Sequence, residues 1–382
     1  MALTRPSRAH LASAAVSAVS LVGGVSLAVV PAATLSISAN VFTLAESGVI
    51  AVAIMIGTFA GQLAFAAIVE SRLSSTSTAR RVTFPRWLAA LSLLAALLVA
   101  LNHTSALVLC LGLPILLASL EVGRGVSIAE RLDTREIWAS VAVACGALGG
   151  VLAGFADASW ALVPLVAGIF VATSMRSLRV AHRASAPEPS ARAWVVADVG
   201  ITGIVFPLIN TLILTVLGPA GAVLFTAIST VTGLLAIPLN FLRLRLLKEH
   251  SRLDIVVSVA ALIVATGALF VFEFAGFFSL LFGSAWTVAA TVVPLLVACA
   301  WRAASLAPTL PFTALRRMGR ARLVTLLRAG ASVIALALAC LGLLTLNIVA
   351  IFAALLIAEL LSGVVYEVAR RRVVRAETTT NI

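Results

Sequence analysis

The sequence predicts an all-α, polytopic integral membrane protein with about twelve transmembrane helices arranged as two six-helix lobes. Composition predicts the class, because 62% of the 382 residues are apolar, 11% are charged and the mean hydropathy is +1.14. Soluble domains are roughly half apolar and a quarter charged, so a soluble protein is excluded. The lengths of the apolar runs and the placement of the basic residues then predict the helix number and the orientation.

Twelve apolar runs are each close to the roughly 20 residues that one membrane crossing requires. They are predicted at 11–33, 45–69, 86–102, 105–122, 137–155, 158–175, 194–217, 220–242, 253–272, 287–308, 323–342 and 345–366. The first run follows Arg5 and Arg8 and exceeds the roughly 7–15 apolar residues of a signal peptide. It is therefore interpreted as a retained first helix.

The basic residues identify one side of the membrane. Of 27 lysines and arginines, all except Arg302 lie in the two tails or in connections after even-numbered runs; Arg328 is assigned to the connection after the tenth. Because cytoplasmic loops are enriched in basic residues, both termini are expected in the cytoplasm of a bacterial plasma (inner) membrane. The net charge of +12 is then a consequence of topology. Anionic membrane lipids are expected partners, and nucleic acid is not.

The longest polar stretch between runs divides the chain into two sets of six helices. The predicted segments are an N-terminal lobe (1–183), a cytoplasmic linker (184–193), a C-terminal lobe (194–372) and a cytoplasmic tail (373–382). A shift of 172 residues superposes Thr58-Phe-Ala-Gly61 on Thr230-Val-Thr-Gly233, each in the second helix of its half. Six helices per half predict a parallel repeat, with its axis along the membrane normal.

Several kinds of chemistry are missing from the sequence. Lys248 is the only lysine and follows no Walker A pattern, which excludes ATP binding by that route. The four histidines lie in tails or connections, and the four cysteines lie far apart in apolar runs without metal-ligand spacing. We therefore expect neither a cofactor nor a metal site, and no enzymatic activity.

Ionisable residues inside predicted spans are costly and are candidates for function. Arg302 lies in the tenth run and either faces a cavity or reaches the inner surface if Pro308 and Pro311 break the helix. Glu359 either pairs with Arg302 or reaches the interface. Asp198 either contributes to a site or is a charged residue in a first helical turn.

Uncharged polar residues form two stripes. On the eighth helix they lie within about 100° of arc and comprise Thr226, Ser229, Thr230, Gly233 and Asn240. Thr58, Gly61 and Gln62 form a shorter stripe on the second helix, and Asn40 and Asn210 are deeper candidates. Each feature is explained either by close packing through small residues or by a polar cavity, and the two matched stripes favour the cavity. The glycine pairs Gly57/Gly61 and Gly150/Gly154 predict close helix packing.

The second half resembles the multidrug/oligosaccharidyl-lipid/polysaccharide (MOP) exporter superfamily, in particular its polysaccharide and lipid-linked oligosaccharide flippases. The resemblance is carried by Leu217-Gly-Pro-Ala-Gly221, Leu281-Phe-Gly-Ser-Ala-Trp286, Pro294, Arg302 and Gly319-Arg-Ala-Arg322, with echoes in Ala45-Glu-Ser-Gly48 and Glu70-Ser-Arg72. It implies two facing six-helix lobes, a cavity lined by helices one, two, seven and eight, and alternating access for a polyprenyl-linked glycan. A pyrophosphate-linked substrate favours several cations, whereas these four helices carry few charges.

Three functions are considered. The first is a flippase that moves a lipid-linked oligosaccharide or polysaccharide precursor, driven by an ion gradient or by consumption of its product. The second is an exporter of drugs or small hydrophobic cations, which would use an intramembrane carboxylate such as Glu359 or Asp198. The third is a non-transporting scaffold for envelope polysaccharide assembly proteins, favoured if apolar side chains seal the cavity.

Overall fold

The chain is helical throughout the part that the structure describes. The computed structural model describes residues 26–73, 82–178, 189–236, 238–239, 252–283, 286–318 and 320–380. Eight helical segments in these ranges are long and apolar enough to cross a membrane, and four shorter apolar helices accompany them. Together they correspond to the twelve apolar runs of the sequence, which confirms the predicted all-α membrane fold. The chain separates into two compact units, Met1–Gly200 (unit 1) and Ile201–Ile382 (unit 2).

Unit 1 contains six apolar helices. They are α1 (Ser26–Val41), α2 (Leu44–Phe65), α3 (Arg86–Leu101), α4 (Ala106–Ala129), α5 (Asp133–Phe155) and α6 (Leu162–Ser177). α2 continues through a π-helical turn, Ala66–Glu70, and a short α-helical turn, Ser71–Leu73. α2 packs on α4, and α5 packs on α6.

A capping box sets the start of α2. The Thr43 hydroxyl accepts a hydrogen bond from the Glu46 backbone N–H at 3.4 Å, and the Glu46 carboxylate accepts one from the Thr43 backbone N–H at 3.0 Å. These reciprocal bonds satisfy two backbone donors that a helix start otherwise leaves without partners. The short sequence Thr-Leu-Ala-Glu therefore fixes where the second span begins.

Glycines bring the helices of unit 1 into close contact. A Cβ at Gly57 would lie 3.3 Å from the Leu113 carbonyl oxygen on α4, and one at Gly61 would lie 3.3 Å from the Leu117 carbonyl oxygen. On α5, a Cβ at Gly150 would lie 2.8 Å from the Ala161 carbonyl oxygen. Small residues permit such backbone approach in membrane helices, so these glycines pack as the sequence predicts.

The described part of unit 2 contains six further spans, two of which have an irregular residue within them. Its helices are α7 (Pro189–Gly203), which begins in unit 1, α8 (Val205–Val216), α9 (Gly218–Gly233), α10 (Arg252–Phe274), α11 (Phe277–Phe282), α12 (Val288–Ala304), α13 (Leu306–Arg317), α14 (Ala321–Leu343) and α15 (Ile348–Thr380). α14 packs on α15, which also contacts α12 and α13.

A proline follows each of the two interruptions. The regular hydrogen bonding of the seventh span is interrupted at Ile204, between α7 and α8, and that of the tenth at Ser305, between α12 and α13, while both residues keep right-handed helical backbone angles. In each case a proline follows three residues later, Pro207 or Pro308. Proline lacks a backbone N–H and is tolerated in a first helical turn, where no donor is needed. The prediction that proline breaks the tenth helix is therefore correct, with the break at Ser305.

Three predicted boundaries differ from the observed helices. The first helix is described from Ser26 to Val41, eight residues beyond the predicted end of its run, and residues 1–25 lie outside the described part. α15 continues to Thr380, through most of the segment predicted as a tail. The boundary between the units follows Gly200, whereas the predicted linker, 184–193, lies mostly outside the described residues.

Candidate functional site

A cavity of about 320 Å³, lined by both apolar and polar side chains, lies in unit 2. Its walls come from the end of α7 and the start of α8, from Ala236 and Leu239 beyond α9, from both sides of the junction between α12 and α13, and from α14 and α15. Hydroxyl side chains line it from several helices: Thr202, Ser305, Thr309, Ser332, Ser362 and Tyr366. Both interrupted spans therefore end at the same polar space. Irregular backbone is tolerated at membrane depth where it lines such a space or is buried in protein.

Three charged side chains also line the cavity: Arg302 on α12, Arg328 on α14 and Glu359 on α15. The sequence predicts that Arg302 faces an interior or a cavity, and the structure places it there. Its guanidinium carbon lies 4.0 Å from the centre of the Trp301 ring and 5.9 Å from that of Phe206. Such stacking on aromatic rings stabilises a guanidinium in an apolar setting.

The Arg302 guanidinium has little hydrogen bonding. Its one bond within the described residues goes from Nη2 to the Ser229 carbonyl oxygen, at a long 3.5 Å. Its Nε is buried and has no hydrogen-bond partner within the described part. Arg302 also forms no ion pair with a described carboxylate. The group thus retains donors that a ligand can use.

Glu359 lies near Arg302 without bonding to it directly. Its carboxylate accepts a hydrogen bond from the Ser305 hydroxyl, at the break of the tenth span, and lies within electrostatic range of Arg302 and Arg328. The direct ion pair that was one of the two alternatives for Glu359 is therefore not formed, although Arg302 and Glu359 line the same cavity from α12 and α15. Ser305 connects the helix break to this charge cluster.

Arg328 lines the cavity, although the sequence did not predict it there. We assign it from sequence to a cytoplasmic connection, but it lies eight residues into α14 and faces the cavity. Its guanidinium carbon lies 5.0 Å from the centre of the Phe312 ring. The sequence does contain a signal for this position. Arg328 lies five residues beyond the predicted start of the eleventh span and is the last basic residue before an unbroken apolar run.

The polar stripe on the eighth helix packs largely against its neighbours. Thr226 and Ser229 are buried, and the Asn210 amide nitrogen on α8 donates a hydrogen bond to the Thr226 hydroxyl at 2.8 Å. Thr230 and Gly233 are half-buried, and none of these side chains lines the cavity in unit 2. Two buried oxygens in this region, Asn210 Oδ1 and Ser229 Oγ, have no hydrogen-bond partner among the described residues.

The remaining candidates lie apart from this cavity. In unit 1, Asn40, Thr58 and Gln62 are exposed, and the first two bond back to their own helices, at the Ser36 and Ile54 carbonyl oxygens. Asp198 is 5% exposed on α7. Asn240 lies outside the described residues. No cluster of three metal-ligating side chains occurs within the described ranges.

Sequence reasoning also misses a buried ion pair in unit 1. Arg176 at the end of α6 donates from Nε to Glu136 Oε2 on α5 at 3.0 Å, and its Nη2 bonds Glu136 Oε1. The two side chains are 2% and 1% exposed, and the Ser140 hydroxyl also donates to Glu136. Opposite charges at adjacent ends of consecutive spans are the sequence signal that identifies such a pair.

A second buried carboxylate lies in unit 2. Glu273, assigned from sequence to an outer connection, is fully buried at the end of α10. It accepts hydrogen bonds from the Trp286 indole at 2.8 Å and from the Thr291 hydroxyl. These donors tie the end of α10 to the start of α12, so Glu273 has a structural role in this part of the fold.

Solved structures share the fold. The chain matches an inward-facing multidrug resistance MATE family transporter of the MOP superfamily at 13% identity and a TM-score of 0.54, with 95% of this chain and 96% of that chain covered. Crystal structures of MATE in complex with MaL6 and with MaD5 each match at 14% identity and a TM-score of 0.51, over 96% of both chains. No protein-family model and no curated protein matches the sequence. The resemblance to the MOP superfamily is thus confirmed at the level of the fold.

Proposed function

We infer that the chain is a membrane transporter that moves an amphiphilic, lipid-linked oligosaccharide or polysaccharide precursor across the plasma membrane by alternating access. The observation that carries this proposal is the cavity in unit 2, where two broken spans meet and three charged side chains project. Charged groups are costly in a membrane protein interior and mark substrate or ion paths.

The charge of the cavity favours an anionic headgroup. The charged side chains of the lining are two arginines, Arg302 and Arg328, and one glutamate, Glu359. The hydroxyls around it supply neutral donors and acceptors of the kind that sugars use. A phosphate-linked glycan presents both an anion and hydroxyls, whereas its lipid tail can stay in the bilayer. Arg328 adds a second cation, which the sequence alone does not place near Arg302.

Export of a small hydrophobic cation is the second candidate. It is favoured by Glu359, an intramembrane carboxylate beside aromatic side chains, which is the environment that an organic cation requires. The MATE relatives by fold include one described as a multidrug resistance transporter. The two flanking arginines oppose this candidate, because each repels a cation at the carboxylate.

Reconstitution tests the two candidates side by side. The full chain in proteoliposomes receives a radiolabelled polyprenyl diphosphate-linked sugar, and the fraction protected from an added soluble lectin measures flipping. In parallel vesicles, accumulation of the fluorescent cation ethidium measures cation export. We expect protection of the lipid-linked sugar in vesicles with protein and none in empty vesicles.

Variants at the cavity test whether the measured transport depends on its side chains. Arg302→Gln should lower the flipping rate by about tenfold or more, because a charge-assisted contact is lost. Arg86→Gln is the matched control, since Arg86 is an exposed arginine at the start of α3 in unit 1. Ethidium accumulation without flipping would replace the first candidate by the second. Transport of neither compound by folded protein would favour the scaffold role and overturn the proposal.

A further inference from the structure

Two aromatic rings lie at one end of the cavity in unit 2. Phe312 on α13 and Tyr366 on α15 both line the cavity, yet they are only 5% and 3% exposed. Their ring centres lie 6.0 Å apart in an edge-to-face arrangement. Ser305, Ser332 and Glu359, which line the same cavity, are half-buried. The cavity is therefore closed where the two rings meet.

Helix geometry places these rings in one layer, below the middle of the cavity. Phe312 follows Ser305 by seven residues, and Tyr366 follows Glu359 by seven residues, which is about 10 Å along each helix. The Ser305 hydroxyl bonds the Glu359 carboxylate, and α13 packs on α15. The two helices therefore run side by side in the same direction, from that hydrogen bond to the ring pair.

Apolar side chains close the space around the rings. Leu315 on α13 and Val324 on α14 are fully buried and pack with Phe312 and Tyr366 in one cluster, here called the plug. The plug lies where α13 ends and α14 begins, an end of unit 2 that we call the basic end. The arginines in the sequence around it are Arg316, Arg317, Arg320, Arg322 and 370–372. The plug thus stands between the cavity and the basic end.

Two guanidinium groups hold the Phe312 ring. The guanidinium carbons of Arg316 and Arg328 each lie 5.0 Å from its centre. Arg316 lies one turn later on the same helix, whereas Arg328 comes from α14 and also lines the cavity. A cation over an aromatic face is attracted to it, but far more weakly than to the partner of a buried ion pair. Rotation of side chains alone can therefore release the ring.

We propose that Phe312 and Tyr366 are a gate that closes the cavity of unit 2 toward the basic end, and that Arg316 and Arg328 hold this gate shut. An ordinary apolar core would also bury the two rings. It would not place two guanidinium groups on one ring at the edge of a cavity, because burying charge is costly. The gate does not depend on which substrate is carried, so it goes beyond the proposed function.

Thiol labelling inside the cavity tests the gate in the full chain. Ser332 lines the cavity one helical turn beyond Arg328, so a single cysteine there reports the entry of a water-soluble reagent once the native cysteines are replaced. Sulfonatoethyl methanethiosulfonate is added to sealed vesicles on the side of the basic end. We expect slow labelling in the parent protein. Phe312→Ala should raise the rate by about tenfold or more, because the truncated side chain leaves a space that water can enter.

Matched variants separate the gate from general loosening of unit 2. Phe278→Ala is the control for truncation, because Phe278 is also 5% exposed but packs in the aromatic cluster of α11. It should leave the rate unchanged, and Phe312→Tyr, which keeps the ring, should keep it slow. Arg316→Gln leaves the plug intact and should raise the rate several-fold, since one cation over the ring is lost. Arg322→Gln, at an exposed arginine of the same end, should have no effect.

Three outcomes would overturn the gate. The first is fast labelling of Ser332→Cys from the basic end in the parent protein, which would show that the cavity is already open there. The second is an unchanged rate in Phe312→Ala, or an equal rise in Phe278→Ala. The third applies if Phe312→Ala does not fold, and is an unchanged rate in Arg316→Gln. The labelling contains no substrate, so failure of flipping or of ethidium accumulation would overturn the transport proposal and leave the gate intact.

Discussion

The two units hold their buried charges in opposite ways. In unit 1, Arg176 and Glu136 bond directly, with both side chains almost fully buried between α5 and α6. In unit 2, Arg302 and Glu359 line the same cavity but have separate partners, the Ser229 carbonyl oxygen and the Ser305 hydroxyl. One arrangement is complete without a ligand, and the other has donors left over.

This difference distinguishes a closed ion pair from charges that keep hydrogen-bond donors available. A closed ion pair compensates the cost of desolvating both groups and leaves nothing for a ligand. Charges that are held apart around a cavity remain desolvated without a direct ion pair until a ligand or another charged group binds between them. The presence of an intramembrane arginine alone does not distinguish the two cases, but the hydrogen bonds that it makes do.

Removing one partner of the closed pair should have the largest effect on stability. Arg176→Ala leaves Glu136 buried and uncompensated, so the free energy of unfolding should fall by about 3–5 kcal/mol. SDS titration of the protein in mixed micelles measures the change. Arg371→Ala is the control, because Arg371 is 68% exposed in its ion pair with Glu367 and should cost about 1 kcal/mol or less. Equal losses in the two variants would contradict the structural role of the buried pair.

The double variant Arg176→Met/Glu136→Leu separates the effect of the uncompensated charge from that of packing. Apolar side chains of similar size remove both charges together, and buried pairs replaced in this way often lose little stability. We therefore expect most of the loss in Arg176→Ala to be recovered. A double variant as unstable as the single one would show that packing, and not charge, accounts for the effect.

Glycine substitutions at helix contacts should give the next largest difference in stability between the two units. A Cβ at Gly146 on α5 would lie 2.5 Å from the Pro164 carbonyl oxygen, so Gly146→Ala should cost about 1–3 kcal/mol by forcing α5 and α6 apart. Gly330 on α14 of unit 2 has no atom within 4 Å of the same position, and Gly330→Ala should stabilise by up to about 1 kcal/mol through helix propensity. SDS titration of both variants checks the signs. Destabilisation by Gly330→Ala would show that α14 packs more closely than described.

Most of the fold could be predicted from the sequence because each span is a local property. An apolar run of the right length specifies a membrane helix without reference to other helices. The break of the tenth span was also predictable, since Pro308 acts on its own backbone. The irregular residue Ile204 has the same local cause, Pro207, although it was not predicted.

The site was less predictable because it depends on contacts between distant residues. Arg176 and Glu136 are 40 positions apart, and only the packing of α5 on α6 brings them together. Arg328 and Glu359 meet through the packing of α14 on α15. For the stripe on the eighth helix the sequence left packing and a polar cavity open. Thr226 bonds to Asn210 and is packed between helices, a contact with α8 that the helical period alone does not reveal.

Loss of the cavity arginine should change stability less than loss of the buried pair. Arg302→Gln removes stacking on Trp301 and one long hydrogen bond, for a cost of about 0.5–2 kcal/mol, partly offset by the smaller desolvation cost of a neutral amide. The same SDS titration compares it with Arg176→Gln. A loss from Arg302→Gln as large as that from Arg176→Gln would remove the distinction between the two units.

The fifth prediction compares how accessible the repeat-related polar positions are to a thiol reagent. Thr58 on α2 is exposed and Thr230 on α9 is half-buried, although the predicted repeat superposes them. Single cysteines at Thr58 and Gln62 should therefore react faster with a membrane-impermeant thiol reagent than a cysteine at Thr230. Cys145 is the internal control, because it is exposed on an apolar face of α5 with Val141, Leu148 and Leu152. Such a face is typical of lipid contact, so Cys145 should react with a membrane-permeant reagent only.

The outcome of labelling decides what the two stripes do. The native cysteines other than Cys145 are replaced, and each variant is labelled from one side of the membrane at a time. Reaction at Thr58 and Gln62 indicates water beside α2, since a thiolate forms in water and not in the hydrocarbon core. Equal rates at Thr58 and Thr230 would support a symmetric pair of polar stripes and contradict the difference in burial. Protection at all three positions in folded, flipping-competent protein would leave both stripes as packing or lipid-facing surfaces and restrict the polar path to the cavity of unit 2.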